Sequence, residues 1–404
     1  MSLFDPNASP EALRDAVLSW LDAHWDSESR RPVGVADNER QQWRQTVLDA
    51  GLAVPSWPSE WFGLGLKPAQ CKAIEKAFAE RRAPGTGLDR YHLGAITVFK
   101  AGSEALKREM LPVLLTGPIC CLLYSEPNAG SDLAGIRTRA EPDGDEFVVN
   151  GQKVWTSNAR EADYGMLLAR TDWEVPKHRG ISFFLFPMKQ AGVEIRPINQ
   201  ITGESEFNEV FIENARVPAR FMIGNLNEGW GSFQTAIAFE RLIMGQGITE
   251  RRRGSAPKGR PALIELAAKT GQLEHPLIRQ RLAQALAYRE VNSLNNERAK
   301  SEMLTKGSIS LMSLSKLAMS RIQHGEAAIA IDLLGSEGLL DGAEHPDAAN
   351  ANFDAAKAYM NSIGGGTDQI QRNIIAEKVL GLPKDQEVDK GIAFREVKSN
   401  SNPN

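Results

Sequence analysis

The apolar positions of this chain repeat with two different periods. Up to residue 117 they recur every three or four positions, the spacing of one buried helix face. SPEALRDAVLSWLDAHW predicts a helix capped by Ser9, with Pro10 at its first position. NERQQWRQTVLDAGLAVP predicts a second helix, stopped at Gly51. PAQCKAIEKAFAERR and GSEALKREMLPVLLTG continue the pattern. From 118 to 226 the pattern changes character to short strand-like runs. EFVVNGQKVWTSN reads as two strands of a hairpin turning at Asn150-Gly151. YGMLLART, GISFFLFPM, VEIRPI and NEVFIENARV read as further strands of a barrel or sandwich. From 227 to 384 the helical period returns in four long segments, as an antiparallel bundle would show. These are EGWGSFQTAIAFERLIMGQGITERR, HPLIRQRLAQALAYREVNSLNNERA, SLMSLSKLAMSRIQHGEAAIAIDLLG and NFDAAKAYMNSI. Residues 385–404 read as a polar, frayed tail. The expected fold class is α+β multidomain: an N-terminal all-α domain, a central β-barrel domain and a C-terminal four-helix bundle.

Composition adds mainly exclusions. The 404 residues are 42% hydrophobic and 24% charged, an ordinary globular balance with chain enough for several cores. A net charge of -4, from 47 basic and 51 acidic residues, gives no bias toward nucleic acid or an anionic membrane. No apolar run reaches the length of a membrane span, and the N-terminus lacks a signal-peptide pattern. The three cysteines make no disulfide framework, and the six histidines show no metal-ligand spacing. The expectation is a cytoplasmic protein with no metal site, no membrane contact and no nucleic-acid partner.

Three stretches carry candidate chemistry. YSEPNAGSDLAG, residues 124–135, is a loop by composition. It is either a surface turn or a cradle of N–H and hydroxyl groups for a polar cofactor. VWTSNA, residues 154–159, ends a strand with an indole followed by hydroxyls, which suits the edge of a flat heteroaromatic ring. SIGGGTDQIQRN, residues 362–373, breaks one helix with three glycines and starts another at once. Thr367 is a good N-cap there, and the helix it opens points N–H groups at an electron-rich ligand.

In that order and spacing the stretches resemble the acyl-CoA dehydrogenase family of flavoproteins. SEPNAGSDLAG is similar to that family's T-E-P-x-A-G-S-D loop, and NGQKVWTSNA to its N-G-x-K-x-W-I-T-N-G strand. GSEALKREMLPVLLTG, NEGWGSFQTAIAFER and GTDQIQRNIIAEKVLG match further family stretches, so the resemblance runs from about residue 10 to 383. It implies bound FAD, an acyl-CoA thioester substrate, and tetramers built from dimers with FAD across a subunit interface. By the same resemblance Ser125 meets the flavin ring, and Ser131 lies near the pyrophosphate and substrate. Trp155 packs beside the ring and Ser157 bonds its N5 edge. Thr367 and Gln369 reach the FAD of a neighbouring subunit.

The reaction so implied removes a proton from the α-carbon while the β-hydride goes to flavin N5, giving the trans-2-enoyl-CoA. It needs hydrogen bonds on the thioester carbonyl and a carboxylate base. Many family members place that glutamate just before the Gly-Thr of the third stretch, where this chain has Gly365. A subset, including isovaleryl- and long-chain-type enzymes, takes it from an E-R-L stretch, matched here by Glu240-Arg241-Leu242. Glu240 is therefore the expected base and Arg241 its partner at the substrate, while the Gly365 and Gly366 backbone holds the thioester. A free glutamate titrates at roughly 4.3, and burial beside an acyl chain is expected to raise it. Without the resemblance, Glu240 would read as a solvated helix residue.

Two stretches depart from the family pattern. Where R-x-x-F-G is usual, ERRRGSAPKGRPALIEL (residues 250–266) has no aromatic. It clusters Arg251, Arg252, Arg253, Lys258 and Arg260, read either as a solvated loop or as a phosphate site. Where Q-x-x-G-G-x-G is usual, Asp332 replaces the glutamine, a wrong charge beside a diphosphate unless it is paired. Some bacterial members acting on steroid or other bulky acyl-CoAs share the G-G-G-T stretch and pair two different subunits. The expected partners are thus an acyl-CoA, an electron-transfer flavoprotein as acceptor, and either copies of this chain or a related subunit. The alternatives are a non-catalytic or half-site subunit, and an acyl-CoA oxidase of the same fold.

Overall fold

The computed structural model describes residues 4–26, 37–245, 262–306, 310–384, 386–387 and 389–398. It divides into two compact units. The first comprises residues 1–198, 206–240 and 390–404, and the second residues 199–205 and 241–389.

The first unit opens with helices α1 (Pro10–His24), α2 (Asp37–Asp49), α3 (Pro68–Glu80), α4 (Leu88–Tyr91), α5 (Leu93–Ala101) and α6 (Glu104–Thr116). The Ser9 hydroxyl accepts from Ala12 N at 3.2 Å, so the expected cap forms, and Gly51 leaves α2 with φ +76°. Leu13, Val17 and Leu21 of α1 are buried, as are Ile74, Ala77 and Phe78 of α3.

Seven strands follow: β1 (Cys120–Leu123), β2 (Arg139–Asp143), β3 (Glu146–Ser157), β4 (Tyr164–Arg170), β5 (Ile181–Pro187), β6 (Val193–Pro197) and β7 (Phe207–Pro218). They form one sheet in the order β1-β4-β2-β3-β7-β6, with β5 also paired to β4. β4 and β5 read as unbroken apolar runs because both faces are covered; Leu167, Leu168, Phe183 and Phe184 are fully buried.

The expected hairpin at Asn150-Gly151 is absent. β3 runs straight through it, and the turn lies earlier, at Gly144 with φ +64° between β2 and β3. Gly151 is a glycine for another reason: a Cβ there would stand 2.4 Å from Thr138 Oγ1 and 2.7 Å from Thr138 Cα. A glycine inside a strand marks such close approach or a bulge, and the register against β7 shifts at this point.

The frayed tail is also corrected. Phe394 is buried, its N–H donates to Val175 O at 3.0 Å, and the Arg170 guanidinium lies 3.7 Å from its ring centroid. A single aromatic in a polar segment finds a cation in the sheet and docks there.

Helix α7 (Gly229–Gly245) crosses the division between the units. The second unit then holds α8 (Ala262–Lys269), α9 (Pro276–Lys306), α10 (Met312–Leu334), α11 (Pro346–Ile363) and α12 (Asp368–Ile374). Its core joins Ala267, Ile278, Leu282, Ala285, Ile329 and Leu333. Residues 262–266, read as loop from the sequence, open α8 instead.

Candidate functional site

β1 delivers Tyr124, Ser125 and Glu126 to the edge of the sheet. The Ser125 carbonyl accepts from Val154 N at 2.9 Å, so this strand end lies against β3 one residue before Trp155. Glu126 fixes the loop from inside. Its carboxylate accepts from Lys153 Nζ at 2.8 Å, Thr138 N at 2.9 Å and Arg137 N at 2.7 Å. Lys153 also donates to the Tyr124 carbonyl at 3.1 Å. Burial works against the Glu126 charge, but Lys153 and these donors outweigh it and hold the carboxyl below its usual range. Glu126 and Ala129 then exchange backbone hydrogen bonds of 3.1 and 3.0 Å, closing the turn that presents Ser131 to solvent.

On β3 the register slips between Lys153 and Thr156. Trp155 sits in that bulge at φ +61° and is 58% exposed, with Phe207 edge-on at 6.1 Å. A left-handed tryptophan is costly, and an exposed indole gains no burial in return. Next to it Thr156 is buried with its hydroxyl lacking a hydrogen-bond partner, and Ser157 is exposed. An open aromatic face flanked by hydroxyls suits a flat heteroaromatic ring, so the residues fit a flavin.

Glu240 lies on α7, half-buried. Phe233 of the same helix meets the Tyr124 ring edge-on at 4.9 Å. Tyr124 is half-buried, and its hydroxyl oxygen is enclosed without a hydrogen-bond partner. It is pushed well above its ordinary pKa, first by burial and then by the charge of Glu240. The expected base thus acts on the residue immediately before Ser125. Sequence reasoning passed over Tyr124; its only signal was a tyrosine leading into the Ser-Glu-Pro loop.

In the second unit, Gly364 closes α11 by donating to Met360 O at 2.7 Å. Gly365 and Gly366 follow at φ +67° and +89°. A Cβ on Gly365 would meet no protein atom within 4 Å, so the backbone conformation, not crowding, calls for glycine there. Buried Gln371 donates to the Gly365 carbonyl at 3.1 Å. Thr367 caps α12 by accepting from Ile370 N at 3.2 Å, and Gln369 is exposed. Asp332 is paired: Arg281 reaches its carboxylate at 2.6 Å. The Arg241 backbone continues α7, but its side chain lies outside the described residues, as do Arg251, Arg252, Arg253, Lys258 and Arg260.

The candidate residues therefore form two groups. Ser125, Ser131, Trp155, Ser157 and Glu240 belong to the first unit; Gly365, Gly366, Thr367 and Gln369 belong to the second.

Residues 121–215 match the acyl-CoA dehydrogenase middle domain, and residues 227–380 the acyl-CoA dehydrogenase C-terminal domain. Acyl-CoA dehydrogenase IpdE1 of Mycobacterium tuberculosis is 37% identical over 400 residues, covering 93% of this chain and 98% of that protein. Acyl-CoA dehydrogenase FadE34 of the same organism is 34% identical over 85% of this chain and 47% of its own length. Among solved structures, the Tcur3481-Tcur3483 steroid ACAD superposes with a TM-score of 0.69 at 27% identity, covering 95% of this chain and all of that one. The ChsE4-ChsE5 complex from M. tuberculosis superposes with a TM-score of 0.64 at 27% identity, covering 93% and 98%. The chain is an enzyme and belongs to the acyl-CoA dehydrogenase family of flavoprotein oxidoreductases.

Proposed function

We propose that the chain catalyses FAD-dependent α,β-dehydrogenation of an acyl-CoA thioester to the trans-2-enoyl-CoA, with Glu240 as the base. The observation that carries this is the match of residues 121–215 and 227–380 to the two acyl-CoA dehydrogenase domains, with Glu240 half-buried on α7 and its charge acting on Tyr124, the residue before Ser125. When bound, FAD supplies the two-electron acceptor for the C–H bond broken at the β-carbon. Glu240 takes the α-proton, and its half-buried position limits competing water. Ser125, Ser131, Trp155 and Ser157 hold the flavin from one side, and Thr367 and Gln369 serve the FAD of a neighbouring subunit. Gly365 and Gly366 leave backbone free to approach the thioester, with Arg241 steadying the base.

The substrate class we favour is a bulky, ring-bearing acyl-CoA, in keeping with the steroid enzyme among the structural relatives. That relative and the ChsE4-ChsE5 complex are both named as pairs, which supports a heterotetramer with a related subunit over a homotetramer. An electron-transfer flavoprotein is the proposed electron acceptor. Among the described residues no helix is long and apolar enough to cross a membrane; the cytoplasm is the proposed location. A half-site subunit is the second reading, prompted by Asp332 and by the missing aromatic of residues 250–266. The pairing with Arg281 answers the charge objection at Asp332 alone.

The test is the visible spectrum of the purified chain, alone and co-expressed with a related subunit, followed by anaerobic addition of acyl-CoAs. Bleaching of a flavin band is expected. Glu240→Gln should keep the band and lower turnover roughly 10²- to 10⁴-fold. Normal turnover by that variant would remove Glu240 from the mechanism.

A further inference from the structure

Residues 390–398 belong to the first unit and dock on the loop of residues 171–180 between β4 and β5. Phe394 N–H donates to Val175 O and Arg395 N–H to Trp173 O, each at 3.0 Å. The Arg395 side chain pairs with Glu174, and Arg137 Nη2 donates to Val397 O at 3.3 Å. The Phe394 side chain, buried among these contacts, faces the Arg170 guanidinium at 3.7 Å from its ring centroid and the Arg137 guanidinium at 5.1 Å.

Arg170 shows what the ring covers. It closes β4 fully buried, and among the described residues its hydrogen bonds go to carbonyls alone. Nη1 donates to Lys177 O at 2.6 Å, and Nη2 to Ala134 O at 2.7 Å and Ile136 O at 3.3 Å. Nε has no acceptor. A dry guanidinium held only by neutral acceptors is costly. An aromatic face offsets part of that cost, and the attraction is strongest where water is excluded. Without the ring, water would reach the guanidinium and compete with the three carbonyls.

Two of those carbonyls lie in the turn that follows Ser131. Lys177 ties the start of the same turn, with its ammonium 3.1 Å from the Asp132 carboxylate while its carbonyl takes the Arg170 bond. The Asp132–Ile136 turn therefore hangs on Arg170 and Lys177. The tail bears on both: its ring covers Arg170, and its two N–H bonds fix residues 173 and 175, just before Lys177.

We propose that Phe394 is a positioning residue for the cofactor loop: by covering Arg170 it holds the Asp132–Ile136 turn, and with it Ser131, in the geometry that receives FAD. The inference rests on the placing of Ser131 at the flavin under the proposed function, and adds the C-terminal segment to that site. Such coupling is reciprocal. A tail that steadies the loop for FAD is itself steadied when FAD binds.

The experiment compares the natural protein, FAD-loaded and FAD-depleted, by amide hydrogen exchange, with its partner subunit present where one is needed. Removing FAD should quicken exchange about 10-fold at residues 131–136 and also at Phe394 and Arg395, while α1 keeps its rate. Phe394→Leu keeps buried bulk and removes the ring. It should raise the FAD Kd about 10-fold, read from the flavin fluorescence released on dilution of the holoprotein. Phe394→Tyr keeps the ring and should stay within about 3-fold of the natural Kd. Val17→Ala, a core truncation on α1, controls for general destabilisation and should leave the Kd unchanged. Should Phe394→Leu not fold, the exchange comparison in the natural protein decides. Tail amides indifferent to FAD while residues 131–136 respond would overturn the positioning role and leave the flavin site intact. An equal rise in Kd for Val17→Ala, or an unchanged Kd in Phe394→Leu, would also overturn it. FAD binding that leaves residues 131–136 unprotected removes Ser131 from the flavin site, and the proposal with it.

Discussion

The loop at residues 124–131 and the turn at residues 364–367 are both polar breaks expected to meet the cofactor, yet they are anchored differently. The loop hangs on an ion pair that water does not reach: the Lys153 side chain is fully buried and that of Glu126 is 9% exposed. The turn hangs on a chain of half-buried groups that runs through the buried Ser320. His324 Nε2 lies 2.7 Å from Ser362 Oγ, Ser362 lies 2.8 Å from Ser320 Oγ, and Ser320 donates to Asp368 at 2.8 Å. Lys316 completes it at 3.4 Å from Asp368, with both side chains 18% exposed. A buried charge tolerates no loss of its partner, whereas water replaces much of a half-exposed hydrogen bond. The loop is therefore fixed by a buried charge pair in the sheet and the turn by hydrogen bonds to side chains of α10, and the two should respond very differently to substitution.

The largest effect should come from Lys153→Met. It strands the Glu126 carboxylate in the interior and should cost about 3–5 kcal/mol in a denaturant titration. The double variant Lys153→Met with Glu126→Gln should recover much of that loss, because no lone charge remains. A single variant as stable as the natural protein would erase the contrast between the two anchors. Acid sharpens the same point. The folded Glu126 titrates below its unfolded value, so its contribution is complete above roughly pH 4.3 and is lost as pH falls through the folded value. The denaturation midpoint should drop across that window in the natural protein, and less steeply in Glu126→Gln.

A smaller pair of effects separates two kinds of glycine. Gly151→Ala pushes a Cβ into the Thr138 backbone and should cost about 1–3 kcal/mol. Gly365→Ala meets no protein atom but must keep φ +67°, at about 1–2 kcal/mol. Asparagine distinguishes them, since it tolerates the left-handed region better than alanine. Gly365→Asn should be milder than Gly365→Ala, while Gly151→Asn should be worse than Gly151→Ala. Thermal midpoints of the four variants check this, and the same order at both positions would mean a shared cause.

Those glycines also mark how far the sequence could be read. Periodicity located the long helices and β3 to β7 because each buries one face or is covered on both, which a pattern of apolar residues records directly; α4, α5, β1 and β2 are too short to leave such a pattern and were not read. The Ser9 and Thr367 caps were legible for a local reason, a hydroxyl three residues from the N–H it accepts from. Asn150-Gly151 was misread because its glycine answers to Thr138, a tertiary neighbour that no local window contains. The docking of Phe394 on Arg170 was invisible for the same reason, the two being far apart in the chain. At the site, the residue types were apparent from the motif resemblance, but Trp155's strained backbone and Tyr124's enclosed hydroxyl appear only with the sheet and α7 around them.

The smallest effect should fall on the turn itself. Ser362→Ala removes the link between His324 and Ser320, yet leaves Asp368 bonded to Ser320 and paired with Lys316. Ser320 keeps a partner, and His324 is close enough to solvent for water to stand in. The global cost should be about 1 kcal/mol or less, within the range of one neutral hydrogen bond. Its signature should be local instead. Amide exchange at Gly364–Thr367 should quicken while the core of α10 keeps its protection, because the serine is the last side-chain tether before the glycines. Uniform acceleration across the bundle would mean that the turn is as deeply coupled to its unit as the 124–131 loop is to the sheet, and the contrast between the two anchors would fail.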